Sequence, residues 1–170
     1  MRTFVAILIG LFGGALFGYV YFHVSENSKF RVASWRTPPI LVDCTHGSLK
    51  ATRIETAVDF WKEYDHHLAF VELNPSNFVC SQEQIDGFII IKNADLGWPV
   101  MGETTRMGNI NGKINSAVIE LQVGSANMPK LLEHELGHAF GYTHVDELGH
   151  IMHPDLDYTG YNFWTKENKN

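Results

Sequence analysis

His134-Glu135-Leu136-Gly137-His138-Ala139-Phe140-Gly141-Tyr142-Thr143-His144 is the stretch on which the reading of this chain turns. His134 and His138 are four positions apart. On a helix they stack on one face about a turn apart, so both imidazoles reach one ion. Glu135 stands one step round from the first histidine, where a carboxylate can hold a water at the ion's open position without becoming a ligand. A third ligand on a continuing helix would point away. Gly141 answers this, because glycine takes positive φ at a helix end and turns the chain so that His144 swings beneath the ion. Three histidines leave a fourth position for water, which is the pattern of a catalytic zinc rather than a structural one. In a chain of 170 residues, five fixed positions at this spacing arise by chance with a probability on the order of 10⁻⁵, so the pattern is taken as a site.

Working outward, the elements before this stretch alternate between strand and helix signals. Ile40-Leu41-Val42 is a first strand. Residues 48–64 place Ile54, Ala57, Val58, Trp61 and Tyr64 on helical spacing. Phe70 to Leu73 is a short strand and Asn74-Pro75-Ser76-Asn77 a loop. Phe88-Ile89-Ile90-Ile91 is continuous and β-branched, as in a strand buried on both faces. Gly97-Trp98-Pro99 breaks it. Residues 100–108 hold few apolar side chains and suit an exposed edge strand. Asn111-Gly112 is a tight-turn signal, and Ala117 to Val123 is another strand. Asn127 is the expected cap of the next helix, with Pro129 in its first turn. The expected class is α+β: a mixed sheet with two major helices.

Phe4 to Phe22 runs 19 residues without a charge, enough to cross a hydrocarbon core of roughly 30 Å. Arg2 precedes it, and no small-x-small cleavage site follows. Residues 1–23 are therefore expected to be a membrane anchor, with a cleaved signal as the alternative. Gly10, Gly14 and Gly18 share a face of that run, which permits close helix approach or simply reflects membrane-helix composition. Residues 24–39, ending in Pro38-Pro39, are expected to be a polar spacer, and the soluble domain is expected to span 40–170. Acidic residues number 19 against 13 Lys and Arg, a formal charge of −6, which disfavours a nucleic-acid partner. Hydrophobic residues at 45% and charged ones at 19% describe a globular body and exclude a disordered chain. Two cysteines are too few for a cysteine zinc site. Cys44 and Cys80 either pair in an oxidising compartment, remain as free thiols, or supply one thiolate to the zinc.

The pattern H-E-x-x-H-x-x-G-x-x-H is the zinc signature of the metzincin metalloproteases, and this chain resembles that clan. Ile151-Met152-His153-Pro154 follows, with Met152 eight residues after His144. That spacing and its M-x-P form look like the matrixin branch. The resemblance covers roughly residues 40–158 and is specific over the last twenty of these. It implies a metzincin-like fold with a backing helix, an active-site helix and a small C-terminal subdomain. It also implies His134, His138 and His144 as ligands of one Zn²⁺, Glu135 as general base, and Met152 as the floor beneath the imidazoles. Substrate is implied to pair with the edge strand near residues 100–108. No P-R-C-G-type latency segment precedes the domain, and Pro154 stands where some branches place a tyrosine. Tyr158 lies nearby. His150 and His153, with His46, His66 and His67, are expected to be surface residues.

The expected activity is a zinc endopeptidase, membrane-anchored with its catalytic domain extracytoplasmic, or secreted after signal cleavage. Two alternatives stay open. One is a membrane-tethered zinc-binding module without catalysis, and the other is a zinc amidase acting on cell-wall peptides.

Overall fold

The computed structural model describes residues 31–163, so the apolar run at 4–22 lies outside them. Among the described residues, no helix is long and apolar enough to cross a membrane. The architecture is mixed α/β. Strands β1 (Ser34–Trp35), β2 (Ile40–Asp43), β3 (Phe70–Glu72), β4 (Phe88–Ala94), β5 (Gly102–Gly108) and β6 (Lys113–Gln122) form one sheet. Its path runs β1-β6-β4-β2-β3, with β5 on β6. Every pairing is parallel except β5 with β6. Helix α1 (Ala51–Lys62) connects β2 to β3, α2 (Asn77–Ser81) precedes β4, and α3 (Leu131–Ala139) follows β6.

The apolar run of β4 is continuous because the strand is buried on both faces. Ile89 and Ile91 enter the main core with Leu41, Ile119 and Leu121, beneath α1 and α3. Ile90 points the other way, to Val42, Cys44, Val79 and Cys80. On α1, Ile54, Ala57 and Trp61 turn one face to the core. The Trp61 indole N–H donates to the Glu133 carbonyl (2.7 Å), and Arg53 pairs with the fully buried Glu133 carboxylate (2.5 Å). Two contacts between different chemistries thus fix α1 against α3.

Three expectations are corrected. The spacer does not extend to residue 39. Ser34 and Trp35 pair with Lys113 and Ile114 of β6, so the fold begins before Pro38-Pro39, which separate two strands. Asn127 does not cap α3. Its carboxamide instead accepts from Lys50 N (2.9 Å) and donates to Ser48 O (2.6 Å), at the start of α1. Lys130, with φ +70°, stands at the N-cap of α3 without a side-chain cap. His66 is not on the surface. It is buried, with Nε2 2.8 Å from the Tyr142 hydroxyl and its ring stacked on Phe140. His46 and His67 are exposed as expected.

Cys44 and Cys80 form a disulfide across a sequence separation of 36, tying β2 to α2 over the second apolar cluster. Loop-closure entropy makes such a link worth roughly 4 kcal/mol. The double variant Cys44→Ser, Cys80→Ser is expected to lose about that much in urea unfolding. An unchanged midpoint would show that the bridge carries no stability.

Candidate metal centre

Helix α3 places His134 and His138 on one face, as their spacing requires. The helix ends at Ala139, and Gly141 takes φ +102°. A side chain at 141 is doubly excluded, because a Cβ there would also overlap the Ala33 carbonyl. The turn brings His144 back. The Nε2 atoms of His138 and His134 lie 3.1 Å apart, those of His138 and His144 3.1 Å, and those of His134 and His144 3.2 Å. All three ligand atoms fall within reach of a common point.

The ring partners decide what this triangle can hold. His134 Nδ1 faces the Ile151 carbonyl (2.8 Å) and His138 Nδ1 faces the Tyr142 carbonyl (3.0 Å). A carbonyl only accepts, so both Nδ1 atoms carry the proton and both Nε2 atoms present lone pairs. Two lone pairs 3.1 Å apart repel unless a cation lies between them. Protonation is not the remedy. Burial pushes His134 down to about 4 and His138 well below its ordinary value, and neighbouring histidines add to both. Neutral imidazoles with carbonyl-fixed tautomers are the donor set of a metal site. These three histidines fit one divalent transition metal, and imidazole suits several of them.

Glu135 is buried and lines the same cleft as the triad, which is about 750 Å³ in volume. Burial pushes its carboxyl up to about 7, against a hydrogen bond that lowers it. That bond comes from Thr104, whose hydroxyl donates to Oε2 at 2.6 Å. A Cβ at Gly102 would stand 2.6 Å from Oε1, so the strand leaves the carboxyl its space. Arg106 donates to the carbonyls of His138 (2.7 Å) and Tyr142 (3.3 Å). Gly102, Thr104 and Arg106 alternate along β5 and share one face, and all three meet α3 or the turn after it. The sequence reading took residues 100–108 as an edge strand and missed these roles. Residues 103–106 are polar without interruption, so no alternation in the sequence marked which side of β5 faces α3.

Met152 is fully buried, with its thioether over Gly137 of α3. Its carbonyl accepts from Val145 N (2.9 Å), the residue after His144. His150 and His153, expected on the surface, are buried. His150 Nδ1 accepts from Met152 N (3.0 Å), and His153 Nδ1 accepts from Asp155 N (3.0 Å). Both shape the turn that carries the Ile151 carbonyl to His134. Tyr158 is half exposed beside His153.

No protein-family model and no curated protein matches the chain. The chemistry of the cleft therefore carries the functional reading.

The perturbed groups give a pH dependence for the metal-free protein. Unfolded, the histidines bind protons near 6.5; folded, His134 and His150 do so only near 4, and burial holds His138 well below its ordinary value. Between those values the unfolded state holds more protons, so stability rises with pH. Glu135 opposes this, because the folded chain keeps a proton up to about 7 that the unfolded chain loses near 4.5. Three histidines outweigh one carboxyl. Urea midpoints of metal-free protein are expected to climb from about pH 4.5 to 6.5, and more steeply in Glu135→Gln. A flat profile would contradict the burial of the rings.

Proposed function

We propose that this chain is a zinc-dependent endopeptidase of the metzincin type, closest to the matrixin branch. The observation that carries the reading is the shared cleft. It holds the three-imidazole triangle and the Glu135 carboxyl together, with β5 as one wall and Pro154 to Asp157 among the residues opposite. Strand β5 pairs only with β6 among the described strands, so its outer edge is open to an extended peptide. Main-chain bonds along that edge supply affinity, and Met101, Met128 and Leu156 offer apolar contact to side chains.

Zinc is the metal of choice for three imidazoles with an open position, and when bound it supplies a Lewis acid that polarises the peptide carbonyl and acidifies water. Glu135 is the base. With Oε2 occupied by the Thr104 hydroxyl, Oε1 takes the proton of the attacking water and delivers it to the leaving amide nitrogen. No nucleophilic side chain is needed. Met152 is assigned to the apolar floor under the rings. The Cys44–Cys80 bridge supports an oxidising compartment, which agrees with an extracytoplasmic domain on an anchor at 4–22.

The test uses the purified full chain, zinc analysis by mass spectrometry, and a mixed peptide library that includes cell-wall fragments. Metal-dependent cleavage of ordinary peptides is expected. Glu135→Gln should keep its zinc and lose turnover by about 10²- to 10⁴-fold; full activity would remove the assigned base. Cleavage confined to cell-wall fragments favours an amidase, and zinc binding without any cleavage favours a binding module. Thr104→Val is expected to lower kcat roughly tenfold with KM little changed, as for loss of one hydrogen bond to a charged group. Thr104→Ser should restore it. An equal rise in KM would instead assign Thr104 to substrate binding.

A further inference from the structure

Helix α3 ends inside the ligand stretch, and its last carbonyls require partners. Two are satisfied locally: Tyr142 N donates to Gly137 O (3.0 Å) and Gly141 N to His138 O (2.9 Å). The next three are all taken by the N-terminal segment. The Trp35 indole N–H donates to Ala139 O at 2.9 Å. Arg31 Nε donates to Phe140 O at 2.7 Å. Val32 N donates to Gly141 O at 3.0 Å. Between them, the Ala33 carbonyl fills the space over Gly141, and the Arg31 guanidinium lies 5.7 Å from the centre of the Tyr142 ring. The segment's other end is pinned to the sheet. Ser34 N donates to Gly112 O (3.0 Å), Lys113 Nζ donates to the Ser34 hydroxyl (2.9 Å), and β1 lies along β6.

Ala139, Phe140 and Gly141 form the first half of the link from His138, on the helix, to His144, off it. The distance between these two ligands depends on how that link turns. Tyr142, next in line, supplies the carbonyl that orients His138. Partners one step removed from the ligands typically set 10- to 100-fold in metal affinity. Residues 36–38, between the clamp and β2, are exposed.

We infer that residues 31–35 are a positioning clamp for the metal centre: Arg31, Val32 and Trp35 fix the turn that delivers His144. The segment counted as spacer is then part of the site. A break N-terminal to Arg31 leaves the clamp on the domain. A break within 36–38 separates it, since only the two-residue strand pairing and the hydrogen bonds named above hold it without the covalent link. The position of a cut between the expected anchor and the domain thus decides whether the freed domain keeps its metal. The inference rests on the triad binding a metal and not on the peptidase reading.

The test uses the full chain in detergent, carrying Trp35→Phe, Arg31→Met or both. Zinc affinity is measured by competition with a chelating dye, the ligand field by Co²⁺ absorption, and local order by amide hydrogen exchange. The double variant is expected to bind zinc at least roughly tenfold more weakly. Its Co²⁺ bands should shift, and exchange should rise over 138–144 while α1 and β4 stay protected. Arg36→Ala, exposed and outside the clamp, should match wild type. Wild-type affinity and Co²⁺ bands in the double variant would overturn the clamp. If exchange rises throughout the double variant, Trp35→Phe decides, since it keeps an aromatic ring and removes the donor; unchanged zinc affinity there overturns the proposal. A wild-type chain that binds no zinc overturns it together with the metal reading. Zinc bound without peptide cleavage removes the peptidase reading alone, and the affinities still decide the clamp.

Discussion

Three imidazole nitrogens aim at one point from 3.1–3.2 Å apart, and this convergence sets the terms for the surrounding structure. Neutral rings with lone pairs this close repel, and burial denies them the proton that would otherwise relieve it. The fold holds the arrangement through groups that act on the far side of each ring. The Ile151 and Tyr142 carbonyls fix the tautomers of His134 and His138. Such a site is preorganised at a cost to the metal-free protein. An ion that binds it returns that cost as folding stability, because the unfolded chain offers no comparable site.

The sheet supplies the rigidity that this needs. One face packs on α1 and α3 through the main core, while the other is closed by α2 and the Cys44–Cys80 bridge. Strand β5 departs from that pattern. Its inward side carries Gly102, Thr104 and Arg106 instead of apolar residues: Gly102 leaves room for Glu135 Oε1, the Thr104 hydroxyl donates to Glu135 Oε2, and Arg106 donates to the His138 carbonyl. An edge strand normally gains stability from an apolar face. Here hydrogen bonds to α3 replace it, and they fall where the chemistry would take place.

The order of elements was legible because each obeys a local rule. The apolar runs at β2 and β4, the helical spacing of α1 and the four-residue spacing of the histidines each follow from backbone periodicity. Gly141 was legible for the same reason: a helix that must turn sharply requires a residue that tolerates positive φ. What was not legible depends on distant pairing. Trp35 and Arg31 reach carbonyls more than a hundred positions away, and no local pattern marks a residue as a distant cap. Asn127 followed the local rule for a cap and was drawn to another helix. His66, His150 and His153 were misplaced because a polar residue is assigned to the surface until a buried partner is known, and their partners come from Tyr142 and the tight turns around Met152 and Asp155.

Glu135 shows how these constraints combine. Burial raises its carboxyl to about 7, while the Thr104 hydroxyl pulls it down and Glu103 pushes it up. A divalent cation at the triad acts in the same sense as Thr104, since a nearby positive charge favours the carboxylate. The Glu135 carboxyl is therefore only partly ionised near neutrality in the metal-free protein, and a bound cation would shift it toward the carboxylate. Proton-accepting capacity and metal occupancy are thus coupled through the field inside one cleft. That coupling requires the carboxyl to be buried yet kept off the ligand point, as Gly102 and Thr104 together arrange.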